Sequence, residues 1–116
     1  MHVVAYPNAP RYDAPGHMHM AMQRLQGMEA GPSDTVWIGC SVIEPGGGTT
    51  SSASDVEKFY ICLEGEVQIT ATQGEKTAVA VLLPMDSCRI APQEARQLFN
   101  PGATPARVLL VMPKRP

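Results

Sequence analysis

The chain has 116 residues, of which 44% are hydrophobic and 17% are charged, and its formal net charge is -2. These totals describe one ordinary globular domain with a single core, and they exclude a disordered chain, which would be poorer in apolar residues. The nine Lys and Arg residues are spread along the chain and form no basic stripe, so we expect no nucleic-acid partner.

The compartment is inferred from what the sequence lacks. The N-terminal residues show no charged region followed by a continuous apolar run, and no later segment is long enough to span a bilayer. The three cysteines, Cys40, Cys62 and Cys88, are odd in number and widely spaced, which argues against a disulfide framework and against a paired-cysteine zinc site. We therefore expect a cytoplasmic protein with buried thiols and no membrane partner.

Short strands are predicted throughout, because eleven prolines and ten glycines interrupt the chain and no long helical periodicity is present. The first strand, about 16–26, follows the turn Asp13-Ala14-Pro15-Gly16. Its even-numbered face carries three methionines, which we expect to pack, and its odd-numbered face carries two histidines. In order, the even face is Met18, Met20, Met22 and Arg24, and the odd face is His17, His19, Ala21 and Gln23.

The remaining strands are predicted from β-branched and aromatic runs between breakers. Thr35–Glu44 is expected to end at Pro45-Gly46-Gly47-Gly48, and Lys58–Thr72 is expected to pair with Thr77–Leu83 across Gln73-Gly74-Glu75. Ser87–Ala91, Arg96–Phe99 and Ala106–Met112 complete the set. The weakly structured segments are Met1–Pro10, Gly46–Asp55 and Asn100–Pro105, and none is long enough to be a linker. The pattern predicts one all-β domain over 1–116, a sandwich or small antiparallel barrel with its core at about 35–113.

Two segments have the spacing of a known pair of motifs. Gly46 and Gly65 bound the first, which places Ser52, Ser54 and Lys58 between them. The second ends at Asn100. Counting back from Asn100 gives Arg96, Gln93, Ala91 and Met85, with a proline one place late at Pro92.

In this spacing the chain resembles a cupin, a small single-domain RmlC-like protein with a jelly-roll barrel, or double-stranded β-helix. Cupins place two histidines and a glutamate where this chain has Ser52, Ser54 and Lys58, and a third histidine where it has Arg96. They place glycines at the positions of Met85 and Gln93. The resemblance therefore implies the barrel, while the usual metal ligands are replaced.

The replacements change the expected chemistry. Lys58 and Arg96 would repel a divalent ion, so we expect no metal at this position and no other cofactor. If the resemblance holds, both cations project into the barrel beside Tyr60 and Cys62, and two buried cations require an anion. That anion is either a protein carboxylate such as Glu44, Asp86 or Glu94, or the carboxylate or phosphate of a ligand.

The leading functional hypothesis is a metal-independent protein that binds a small anionic metabolite, a carboxylate, through the positions that line or shape the pocket. They are Ser52, Ser54, Lys58, Tyr60, Cys62, Arg96 and Asn100. Asn100 also suits a turn anchor before Pro101. The alternative is an isomerase or lyase acting on a small organic acid, with Lys58, Arg96, Tyr60 and His19 as catalytic groups. There, Arg96 grips the acid, while burial lowers the pKa of Lys58 so that it acts as a base or forms a Schiff base.

A rival site is provided by His17 and His19, which share one strand face in regular alternation. With Glu44, Asp55 or Glu57 as a third ligand they could form an open zinc-like site, or one of them could be a general base at the barrel opening without metal. His2 lies in the predicted tail and is given no role. A reactive thiolate at Cys62, beside Lys58, is a further alternative.

Periodicity and the resemblance disagree about the strand that begins at Lys58. Its odd residues, among them Phe59, Ile61 and Leu63, are the more apolar, yet the cupin spacing directs them outward and directs Lys58 inward. Both hold if that outer face is covered by the N-terminal strand or by a second subunit, since an uncovered apolar row would be an exposed patch. We therefore expect a homodimer.

Overall fold

The protein consists almost entirely of antiparallel strands, described over residues 1–114 by a computed structural model. Single turns of 3-10 helix cover Tyr6–Asn8 and Met28–Ala30. Within residues 1–114, no helix has the length and apolar character that crossing a membrane requires. The nine strands are β1 (Arg11–Tyr12), β2 (His17–Gln26), β3 (Val36–Thr49), β4 (Lys58–Glu64), β5 (Val67–Gln73), β6 (Lys76–Leu82), β7 (Ser87–Ile90), β8 (Ala95–Phe99) and β9 (Ala106–Pro113).

The strands form a nearly closed barrel. Their hydrogen-bonded order is β6-β5-β8-β3-β9-β4-β7, with β2 also paired to β3 and β1 paired to β2. Every pairing is antiparallel. The prediction of an all-β antiparallel barrel is confirmed, and the predicted bounds of the first strand agree with β2.

β3 is longer than the sequence suggested, and the prediction that it ends at Pro45 is wrong. Its first part, residues 36–43, pairs with β9, whereas Gly48 pairs with Phe99 of β8. A Cβ atom at Gly48 would lie 2.0 Å from the Leu98 carbonyl oxygen, so only glycine permits this approach. β3 therefore bends at its glycine run, residues 46–48, and pairs with β9 before the bend and with β8 after it.

The predicted strand Lys58–Thr72 is in fact two strands, β4 and β5, which are divided at Gly65. Gly65 has φ 70°, and a Cβ atom there would lie 2.8 Å from the Pro105 carbonyl oxygen. The hairpin between β5 and β6 is confirmed. Gln73 pairs with Lys76 across the two-residue turn Gly74-Glu75.

The alternation along β4 follows the cupin spacing. Lys58, Tyr60 and Cys62 are 5%, 2% and 0% exposed, whereas Phe59 is 40% exposed. The inward direction of Lys58 is therefore confirmed, and the apolar odd face is turned outward. The core within the barrel is formed by Ile43, Tyr60, Cys62, Val67, Ile69, Leu82, Ile90, Leu98, Ala106 and Val108.

The N-terminal segment, residues 1–10, has no strand and is mostly exposed, in agreement with the prediction, but hydrogen bonds attach it to the rest of the protein. Gln23 donates hydrogen bonds to the carbonyl oxygens of Tyr6 and Ala9, at 3.1 Å each, and Ala9 is 6% exposed. His2 Nε2 lies 2.8 Å from the Ala30 carbonyl oxygen. These contacts hold residues 1–10 against β2, and His2 therefore has a structural contact.

The backbone at Met85 and Gln93 supports the alignment with the second cupin motif. Both residues adopt left-handed conformations, with φ 75° and 69°, and both occupy positions where cupins have glycine. A side chain at such φ values is strained, whereas glycine is not.

We predict that Gln93→Gly raises the free energy of unfolding by about 0.5–1 kcal/mol, because relief of this strain exceeds the added flexibility of the unfolded chain. Urea unfolding measures the change. Gly102→Ala is the contrasting substitution, because Gly102 does not have a positive φ and this site therefore lacks the strain found at Gln93. A Gln93→Gly protein less stable than wild type would contradict the prediction.

The buried thiols and phenol make stability depend on alkaline pH. Burial raises the pKa values of Cys40, Cys62 and Tyr60, so the folded chain retains these protons at pH values where the unfolded chain loses them. Their stabilisation is complete below the ordinary pKa values, about 8.5 for thiols and about 10 for tyrosine, and is lost as pH rises toward the folded values.

We predict that the free energy of unfolding, measured with urea, falls between pH 8 and pH 10.5. Its slope should reach up to about 1.4 kcal/mol per pH unit for each retained proton, and the urea midpoint should fall with it. Cys40→Ala should give a shallower slope than wild type. A midpoint independent of pH over this range would contradict the prediction.

Candidate functional site

Arg96 is held inside the barrel by neutral groups. It is 7% exposed, and its Nε donates to the Tyr60 hydroxyl oxygen at 2.8 Å. Its Nη1 lies 3.2 Å from each of three acceptors, and one of these, the Thr49 hydroxyl, also accepts from the Leu98 amide. The three acceptors are Thr49 Oγ1, the Thr50 carbonyl oxygen and Ser52 Oγ. This network fixes the direction of the guanidinium without neutralising it.

Lys58 and Arg96 open onto one cavity of about 220 Å³, which we call the barrel cavity. Its apolar wall is formed by Tyr12, Ala14, Trp37, Leu110 and Met112, and its ionisable side chains are Asp13, His17, Arg24, Lys58 and Arg96. Asp13 is the one carboxylate among the described residues that line it, and it forms no ion pair within 4 Å in residues 1–114. Three basic side chains, those of Arg24, Lys58 and Arg96, thus line one small cavity.

Arg24 enters the cavity between two aromatic rings. Its guanidinium carbon lies 3.5 Å from the centre of the Tyr12 ring and 4.2 Å from the centre of the Trp37 ring. The rings themselves meet edge to face, with centres 6.0 Å apart. β1 places Tyr12 here, because Tyr12 pairs with Met22 of β2. Cation–π contacts of this kind orient an arginine side chain.

The side chains at the cupin ligand positions do not fit a divalent metal. Lys58 and Arg96 are cations, while Ser52 is an acceptor for Arg96 and makes a backbone bridge with it. Ser54 Oγ donates instead to the Val56 carbonyl oxygen at 3.4 Å, and Ser54 does not line the cavity. Neutral imidazoles and carboxylates, which bind such ions, are missing from these four positions.

None of the carboxylates suggested as an internal counter-ion bonds to Arg96. Asp86 accepts from the Leu83 amide at 3.0 Å, and Glu94 accepts from the Ala91 amide at 3.0 Å. Glu44 is exposed. The ion pairs described for residues 1–114 join Arg24 to Glu29, Arg89 to Glu57 and Arg107 to Glu64.

Three predicted pocket residues play supporting roles. Tyr60 holds Arg96 and does not line the cavity. Cys62 lies in the apolar core, its Sγ approaches the carbonyl oxygens of Glu64 and Gly65, and burial raises its pKa, which disfavours a thiolate. Asn100 is fully buried and donates to the carbonyl oxygens of Ile43 and Thr104, so it anchors the turn.

The two histidines of β2 do not follow the predicted alternation. His19 has φ 53°, and the register with β3 shifts between Met18 and Met20. A bulge inserts an extra residue into the strand, so the side chains on one side of the bulge change to the opposite face of the sheet. His17 consequently lines the barrel cavity with Arg24, whereas His19 is exposed. No group of three His, Cys, Asp or Glu side chains in residues 1–114 is arranged to hold a metal.

The same bulge corrects the predicted methionine face. Met22 is 5% exposed and Met20 packs against the core, as expected, but Met18 is 53% exposed. Sequence reasoning did not assign Arg24 or Trp37 to the site. Arg24 was predicted on the same face of the first strand as Met22, the face expected to pack. This alternation could have identified Arg24 as a residue of the site.

Comparison with known proteins gives the family. No family model matches the chain. The β-D-galactosidase Rv1717 of Mycobacterium tuberculosis is 39% identical over 92 residues, which are 79% of this chain and 76% of that protein. An RmlC-like cupin from Shewanella frigidimarina superposes with a TM-score of 0.78 at 16% identity, over 99% of this chain and 92% of that one. The chain belongs to the family of the Mycobacterium tuberculosis protein and has the RmlC-like cupin fold.

Two further cupin-like structures show the same fold. The polyketide cyclase RemF of Streptomyces resistomycificus has a TM-score of 0.81 at 20% identity, over 100% of this chain and 82% of its own. A sugar phosphate isomerase of the cupin superfamily from Silicibacter pomeroyi has a TM-score of 0.78 at 20% identity, over 97% of this chain and 76% of its own. These two structures support the fold of the chain.

Proposed function

We propose that this cupin binds a small organic carboxylate in the barrel cavity without a metal. The observation that supports this most is the Arg96 guanidinium, which is 7% exposed, meets the cavity and donates to neutral groups of the protein. Buried or half-buried cations are stabilised by an anion that supplies charge-assisted hydrogen bonds. The cationic side chains at the ligand positions support independence from metal.

The size of the cavity favours a ligand no larger than a monosaccharide, since about 220 Å³ is below the usual range for drug-sized ligands. Asp13 offers an acceptor for a hydroxyl group. Two relatives have names that refer to sugars, a galactosidase and a sugar phosphate isomerase. A hydroxylated carboxylate such as a sugar acid combines these features.

The test is isothermal titration of chelator-treated protein with D-galacturonate, D-galactose and D-galactose 1-phosphate. Binding of D-galacturonate, with no change on adding metal, is the expected result. Preference for the phosphate would identify phosphate as the anion, and binding of neither anion would overturn the proposal.

Isomerisation or elimination in the same cavity is a second candidate, supported by His17. Its Nδ1 lies 2.8 Å from the Pro15 carbonyl oxygen, which can only accept, so Nδ1 carries the hydrogen. In the neutral ring Nε2 then has the free lone pair, which can take a proton from a carbon next to the carboxylate. In an isomerisation the electron pair of the broken C–H bond moves into a neighbouring carbonyl group of the ligand to give an enediol. The proton then returns to the former carbonyl carbon, and a proton passes from the hydroxyl oxygen to the former carbonyl oxygen.

Exchange of that hydrogen for deuterium in heavy water, followed by NMR, tests this second candidate. His17→Ala should abolish exchange, and His19→Ala, at the exposed histidine, should not. Lys58 is the competing base. Exchange that survives His17→Ala and is lost in Lys58→Met would assign the proton transfer to Lys58.

Galactoside hydrolysis is suggested by the name of the relative, but the cavity suits it less. Most glycosidases use two carboxyl groups on opposite sides of the scissile bond. Asp13 is the one carboxylate among the described residues that line the cavity. Release of nitrophenol from a nitrophenyl β-D-galactoside would favour hydrolysis over simple binding, and loss of that activity in Asp13→Asn would place it here.

We also propose that a second copy of the chain covers the outward face of β4. Phe59 is 40% exposed there, and Ile61 continues the apolar row. Phe59 pairs with Arg89, whose guanidinium contacts Glu57, so the rim carries both charges and can complement itself across a two-fold axis. Light scattering at micromolar concentration should give a dimer, and Phe59→Lys should give a monomer. A monomeric wild type would overturn this proposal.

A further inference from the structure

Arg24 has an incomplete set of hydrogen bonds at the place where it meets the barrel cavity. Its side chain is 12% exposed, and its Nε lies 3.3 Å from Glu29 Oε2, a carboxylate on the outer side of the stack. Its Nη1 is buried and has no hydrogen-bond partner in residues 1–114. Leaving a charged donor buried and unsatisfied is costly, so such a group is suited to a partner from outside the chain.

Two aromatic rings make the Arg24 guanidinium suited to a carboxylate. Tyr12 and Trp37 lie within 3.5 Å and 4.2 Å of the guanidinium and shield it from bulk water, which strengthens its interaction with an anion. They also fix its plane. A planar carboxylate can then be recognised by direction as well as by charge.

Arg96 differs from Arg24 in this respect. Its Nε and Nη1 already donate to groups of the protein, among them Tyr60 and Ser52. Arg96 is therefore tied to the protein through two of its three nitrogens, whereas Arg24 donates through Nε alone and keeps a buried donor without a protein acceptor in residues 1–114. Both side chains line the same cavity, together with Lys58.

We propose that Arg24 is the residue that recognises the carboxylate of the ligand, through its guanidinium group, and so selects an acid over its neutral analogue. This inference rests on the proposed function, since it assigns the anion of that same cavity. Lys58 supplies a second donor to the anion. The aromatic pair holds Arg24 in position, which a lysine of equal charge could not reproduce.

The test compares D-galacturonate with its neutral amide, D-galacturonamide, by titration of wild type and Arg24→Lys. Wild type should prefer the acid, and Arg24→Lys should weaken binding of the acid by about 10-fold or more while changing binding of the amide little. A purely structural role would weaken both ligands equally. Arg107→Lys, at an arginine that stacks on Tyr6 and pairs with Glu64 away from the barrel cavity, is the matched control and should leave both affinities unchanged.

The outcomes separate the two proposals. If wild type binds neither ligand, the proposed function fails and the assignment of Arg24 fails with it. If wild type prefers the acid and Arg24→Lys keeps that preference, the anion site stands and Arg24 is excluded as its selector. Should Arg24→Lys not fold, as judged by circular dichroism, Arg24→Gln replaces it and is expected to abolish the preference for the acid.

Discussion

Replacing Arg96 by methionine is expected to lower the free energy of unfolding by about 3 kcal/mol, because the guanidinium loses its contacts with four acceptors, two of them buried and two part-buried. Removing the charge also relieves its desolvation, but this gain is smaller because Arg96 meets the open cavity. Arg96→Lys should recover little, since one ammonium group cannot span Tyr60 on one side and Ser52 on the other.

Urea unfolding at pH 7.5 measures this effect. Arg89→Met is the matched control, because Arg89 forms an exposed pair with Glu57 and its loss should cost less than about 1 kcal/mol. If Arg96→Met unfolds at the same urea concentration as Arg89→Met, the network around Arg96 does not stabilise the barrel as we describe.

The second large effect is expected from Lys58→Met on the binding of D-galacturonate. Methionine keeps much of the length and volume of lysine but cannot donate to a carboxylate. A hydrogen bond to a charged group contributes about 1.5–3 kcal/mol, so affinity should fall by about 10- to 100-fold. Calorimetric titration of both proteins gives the ratio.

Lys76→Met is the control for this substitution, since Lys76 lies on the exposed edge strand β6 and away from the barrel cavity. Its affinity should equal that of wild type. A folded Lys58→Met protein with unchanged affinity would show that Lys58 does not contact the anion.

The barrel could be predicted from the sequence because its signals are local or fixed in spacing. β-branched runs between glycines and prolines gave most of the strands, and the distance from Gly46 to Gly65 gave the inward direction of Lys58. The motif spacing predicted the correct inward face of β4, whereas hydrophobic periodicity favoured the opposite face. The left-handed backbone at Met85 and Gln93 shows that the second motif keeps its shape without its glycines.

Other features depend on contacts between distant segments. The passage of β3 through its glycine run depends on the close approach of Leu98, which no neighbouring residue signals. The bulge at His19 has no glycine to mark it, so the faces of His17 and His19 were assigned from a regular alternation that the strand does not keep.

The candidate site was predictable only in part for the same reason. Lys58 and Arg96 came from the motif, and the cavity between them is present. Arg24 and Trp37 join it through the pairing of β1 with β2 and of β2 with β3, which are tertiary contacts. The packing of residues 1–10 likewise depends on Gln23, a polar residue whose partners are far away in sequence.

A crystal structure of the protein grown with D-galacturonate and without added metal tests the central claim most directly. We predict the sugar acid in the barrel cavity, with carboxylate oxygens about 3 Å from nitrogens of Arg24 and Lys58. A ligand bound elsewhere, or a metal ion held among Ser52, Lys58 and Arg96, would contradict the account.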